Sequence, residues 1–94
     1  MNAERTPLFY MANLGAEVSR LYAAKGDAAE GALARCLDII DKYLKAEQHP
    51  WRQQEVSVLK NVIEDIASCG NRYDVSEEDL EEYFLPFALR LQSV

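Results

Sequence analysis

Apolar residues recur at three- and four-residue spacings in four stretches of the chain, and start or stop signals separate those stretches. This punctuated helical period constrains the fold more than any other feature, since no run of alternating β-branched residues offers strands. In the first stretch Leu8, Met11, Leu14, Gly15, Val18, Leu21 and Tyr22 share one arc. Thr6 is a natural N-cap, and Pro7 suits the first helical position, where a missing N–H costs nothing. The first helix is therefore predicted over about Pro7 to Ala24, with Gly26 as a left-handed cap.

Asp27 opens the second helix and stands at capping-box spacing from Glu30. Its stripe is Ala29, Ala32, Leu33, Cys36, Leu37, Ile40, Tyr43 and Leu44, running to about Glu47. Asp38 with Lys42 and Asp41 with Lys45 are i,i+4 pairs in the favourable order. Gln48-His49-Pro50 breaks the helix, and Pro50 can open the third.

The third helix, about Pro50 to Cys69, gathers Val56, Val58, Leu59, Val62, Ile63, Ile66 and Cys69 on one side before the Gly70-Asn71 stop. Ser76 and Asp79 resemble a capping box, and Glu77, Glu78 and Asp79 suit the positive end of a helix dipole. The fourth helix, Glu77 to about Gln92, carries Leu80, Phe84, Phe87 and Leu91. Pro86 removes a hydrogen bond inside it, so a kink is expected between Glu82 and Pro86. Short connections between four amphipathic helices predict an all-α, antiparallel up-down four-helix bundle. With 94 residues, 1–94 is expected to form one domain.

Charge and length exclude several roles. The net charge is −6, which argues against binding nucleic acid through its phosphates. The longest apolar run, Tyr83 to Leu89, has seven residues; a bilayer needs about 20. Asn13 interrupts the early apolar stretch, so no signal peptide is expected. Cys36 and Cys69 fall on apolar stripes about 12 Å apart along the hairpin axis, beyond disulfide reach. They read as core residues in a reducing, cytoplasmic setting. No spacing of His, Cys, Asp and Glu offers a metal site, and no cofactor motif occurs.

Three polar features leave alternatives open. His49, the one histidine, reads as a turn or capping residue. Glu55 falls within the apolar arc of the third helix, either as a buried acid held by Lys42 or as a first-turn glutamate at the wet end of the bundle. The second half of the chain is the acidic one: residues 48–94 hold nine acids and four bases, and residues 1–47 hold seven and six. The Glu77–Glu82 segment is either a solvated face or a surface for a basic partner.

Apolar surface is left over once the stripes are assigned. Leu85 and Leu89 point away from the stripe of the fourth helix, and Phe9 and Tyr10 lie outside that of the first. Gly15, Ser19 and Ala23 form a ridge of small residues beside Ala12 and Ala16. A glycine within a helix costs about 1 kcal/mol relative to alanine, and close approach of another helix would justify it. Asn13, Glu17 and Arg20 form a polar row beside this ridge, either solvated or setting register against a partner helix. These residues outline a homodimer or partner-helix interface, unless the first helix is buried on two sides and the proline turns the leucines inward.

Met11-Ala-Asn-Leu-Gly-Ala-Glu-Val-Ser-Arg20, with Tyr83-Phe-Leu-Pro-Phe-Ala-Leu-Arg90, resembles small uncharacterised prokaryotic helical-bundle proteins. The pattern is also similar to the HEPN group of small helical bundles, whose ribonuclease members carry an Arg, four to six further residues, then a His. The corresponding positions before His49 are Leu44, Tyr43 and Lys42, so that motif is absent. The resemblance implies a helical bundle and does not carry a nuclease site. The preferred reading is a non-enzymatic interaction module; the alternative is a HEPN-like nucleic-acid-acting enzyme or toxin-antitoxin component, with His49, Arg52 and Glu55 at one bundle end.

Overall fold

The computed structural model describes residues 6–24, 27–68 and 72–92, in which helices α1 (Pro7–Ala23), α2 (Asp27–Ala46), α3 (Pro50–Ala67) and α4 (Glu77–Gln92) are formed. There are no strands among the described residues. Gly26, Cys69, Gly70 and Asn71 lie outside the described residues, and with them the expected left-handed cap, the expected stop and the spacing of the two cysteines.

Local chemistry sets the helix starts. Thr6 Oγ1 accepts from the Phe9 N–H at 3.2 Å, with Pro7 at the first helical position. Ser76 and Asp79 form a reciprocal capping box, with the Ser76 N–H donating to Asp79 at 2.9 Å and the Asp79 N–H donating to Ser76 Oγ at 3.0 Å. Both expected surface pairs of α2 form, Lys42–Asp38 at 2.9 Å and Lys45–Asp41 at 3.1 Å. α4 continues through Pro86 to Gln92. Pro86 and Glu82 are both exposed, so water can donate to the carbonyl that the proline leaves without a partner.

The up-down order is visible at one end of the molecule. Pro7 and Met11 of α1, Tyr43 near the end of α2, Arg52 from the start of α3, and Phe87 and Arg90 from the end of α4 line one small cavity there. Successive helices therefore run antiparallel. The core joins all four, with Met11, Leu14, Cys36, Ile40, Val56 and Ile63 almost completely enclosed.

α1 is the central element, packing on α2, α4 and, more lightly, α3. Among the described residues no α-carbon of α4 comes within 8 Å of one in α2 or α3. The Tyr83 hydroxyl of α4 reaches α3 and donates to Glu55. This incomplete closure explains one departure from the sequence pattern. Val58, expected in the core, is 57% exposed, as is Trp51 at 58%, because no helix covers that side of α3.

Candidate functional site

Residues of α1 and α4 line a groove of about 270 Å³ on the outside of the bundle. Its α1 wall is made of Ala12, Ala16, Ser19 and Tyr22, and its α4 wall of Glu77, Glu81, Leu85 and Ala88. Gly15 lies at the base. A methyl group there would sit 2.8 Å from Phe84 Cβ and 2.9 Å from Phe84 Cγ. The close approach that this glycine permits is thus made by α4 of the same chain, and the small-residue ridge beside it remains accessible. Ala16 and Ser19 are exposed, and Leu85 is 54% exposed.

The groove has two chemically different ends because α1 and α4 are antiparallel. Glu77 and Glu81 lie opposite Ser19 and Tyr22, while Leu85 and Ala88 lie opposite Ala12 and Ala16. Glu78 and Glu82 add exposed carboxylates to the acidic end. Among the described residues no Lys or Arg lines the groove. Tyr22 sits at the acidic end with its hydroxyl oxygen enclosed and without a hydrogen-bond partner among the described residues. Burial raises its pKa, and the charges of Glu77 and Asp79 add to that.

The polar row of α1 turns away from this groove. Glu17 is buried, accepting from Arg35 Nε of α2 at 2.8 Å and from Arg20. Burial raises its pKa, but the Arg35 hydrogen bond and both arginine charges outweigh that and leave it lowered. Glu17 therefore helps hold α1 against α2 through Arg35, with Arg20 bonded to it from the same helix, and the register it sets lies within the chain. Asn13 Nδ2 donates to the Phe9 carbonyl one turn back at 2.8 Å. Phe9 and Tyr10 are half-buried and meet edge to face with centroids 5.6 Å apart, and Tyr10 packs against the core. Of the residues marked from sequence, the groove unites Gly15, Ser19 and Leu85. Leu89 is exposed one turn beyond Leu85.

Glu55 is exposed and bonded to Tyr83 of α4, and Lys42 is paired with Asp38. Neither the buried position nor the Lys42 partnership exists. The buried acid at this end is Glu47, which sequence spacing does not single out. Its carboxylate accepts from the Tyr43 hydroxyl at 2.9 Å and from the Gln48 and His49 N–H groups at 3.1 and 3.2 Å. Burial raises its pKa, and these hydrogen bonds with the Arg52 charge bring it below the ordinary value. His49 is the backbone cap of α3 but makes no side-chain capping bond. Glu47 and Gln53 instead hold the turn between α2 and α3, with the Gln53 amide donating to the Glu47 carbonyl at 2.7 Å.

His49 and Arg52 share Trp51 as a neighbour, and Glu55 is engaged elsewhere. The His49 ring faces Trp51 at 6.4 Å, Arg52 stacks over Trp51 at 4.5 Å, and Glu55 holds Tyr83. Cys36 is enclosed in the core, and burial pushes its thiol up to about 11. Among the described residues no group of three or more His, Cys, Asp or Glu is placed to hold a metal ion, and no helix is long and apolar enough to cross a membrane.

Comparison with protein-family models, curated proteins and solved structures finds no match to this chain. The groove therefore has to be read from its own chemistry.

Proposed function

We propose that this protein is a non-enzymatic interaction module whose α1/α4 groove receives a helix, either from a partner or from a second copy. The observation that carries this reading is the pairing of a small-residue wall, Ala12, Ala16 and Ser19, with Leu85 across an open groove. Small side chains let another backbone approach closely, and a large exposed apolar group supplies area to bury. A helix seated there would complete a three-helix layer, with ridges packed into grooves on both α1 and α4. A reducing, cytoplasmic setting is part of the proposal; the free, enclosed Cys36 supports it.

The test is site-specific photocross-linking inside cells. A benzophenone amino acid replaces Ser19 in the groove, with the same group at Val58 on α3 as control. Mapping the Ser19 adducts is expected to give one helical segment, of this chain or another, lost when Leu85→Asp is added. Ser19 adducts no different from those at Val58, or unchanged by Leu85→Asp, would remove the reading.

A further inference from the structure

We propose that the groove's occupant is an amphipathic helix of a partner protein, with Lys or Arg at the end that meets Glu77 and Glu81 and apolar residues at the end that meets Leu85 and Ala88. This rests on the groove being a helix-docking site, and adds which helix it takes.

Charge runs along the groove in one direction. Glu77, Glu78, Glu81 and Glu82 are exposed, and none of them forms a salt bridge among the described residues. Asp79 differs, since its carboxylate is engaged by Ser76. Helix capping therefore accounts for one acid of this segment and leaves four without a salt-bridged cation among the described residues. From Glu77 to Ala88 the wall spans about 16 Å at 1.5 Å per residue, or three turns of an incoming helix. The matching helix carries its cations in one turn and its apolar side chains in the next two.

A second copy does not fit this pattern. In a two-fold dimer the same patch meets itself. If the α4 helices pair in parallel, their acids face each other. If they pair antiparallel, the acids of one copy lie against Leu85 of the other and lose water without gaining a cation. Among the described residues no cation lines the groove to change either outcome. The nearest arginine on α1, Arg20, is held by Glu17. A basic helix resolves both problems.

The experiment combines sedimentation of the full chain with an NMR titration. The probe is a 14-residue peptide of Leu and Lys with its lysines gathered at one end; its twin has Glu in place of Lys. The expected result is a monomer whose α1 and α4 groove signals shift with the Lys peptide. Its affinity is expected to exceed that of the Glu twin by at least about tenfold, to fall about tenfold at 0.5 M salt, and to weaken in Glu77→Gln/Glu81→Gln. A dimer disrupted by Ala16→Glu, or equal binding of both peptides in the groove, would overturn the basic-partner assignment while leaving helix docking intact. A monomer that binds neither peptide, or binds only away from α1 and α4, would overturn both.

Discussion

Gly15 and Phe84, far apart in sequence, meet so closely that one added carbon on Gly15 would lie 2.8 Å from the β-carbon of Phe84. Because the obstacle is a β-carbon, fixed to the backbone of α4, rotation of the phenyl ring cannot relieve it. Gly15→Ala gains about 1 kcal/mol of helix propensity but forces α1 and α4 apart, at about 1–3 kcal/mol. The expected outcome is a net loss of up to about 2 kcal/mol in urea unfolding. Gly15→Leu is expected to lose α4 docking altogether, by near-ultraviolet dichroism.

Glu17 and Glu47 give the fold an acid limit. Both have lowered pKa values in the folded chain, so the stability they contribute is complete above the unfolded glutamate value of about 4.3 and is lost as pH falls through their folded values. Urea midpoints are expected to be flat from pH 7 to about 5 and to fall below about 4.3. Glu17→Gln and Glu47→Gln should each start lower at neutral pH and fall less steeply. An unchanged acid slope in both variants would assign the limit elsewhere.

Two buried tyrosine hydroxyls should respond in opposite directions to removal. Tyr43→Phe breaks the bond to Glu47 and leaves a buried carboxylate with one donor fewer, costing about 1–2 kcal/mol. Tyr22→Phe removes an enclosed hydroxyl that has no partner among the described residues, and is expected to stabilise by about 1 kcal/mol. Paired urea titrations check both signs.

Leu85→Asp is expected to change stability by no more than about 0.5 kcal/mol, because the side chain is 54% exposed. Its effect should fall on docking, with helicity retained by far-ultraviolet dichroism. A large loss of helicity would show that Leu85 supports the fold.

The helix boundaries were legible from local signals, since Thr6-Pro7, Ser76 with Asp79, and Pro50 act within a few residues of where they stand. The i,i+4 pairs of α2 were legible for the same reason. The roles of Glu17 and Glu47 were not. Glu17 is buried by a guanidinium eighteen positions away, and Glu47 by a turn whose path no spacing encodes. Val58 misled because periodicity marks a helix face as apolar without saying whether another helix covers it. Gly15 signalled a close neighbour correctly, but a single glycine does not say whether that neighbour belongs to the same chain.

Because α4 rests on α1, with two other helices intervening in the chain, the groove comes into existence late. During synthesis α1, α2 and α3 emerge before α4, and the groove has only one wall until α4 has returned to cover Gly15. Recruitment through this groove would therefore be restricted to molecules in which α4 has docked, and a chain truncated before α4 would stay silent to its partner.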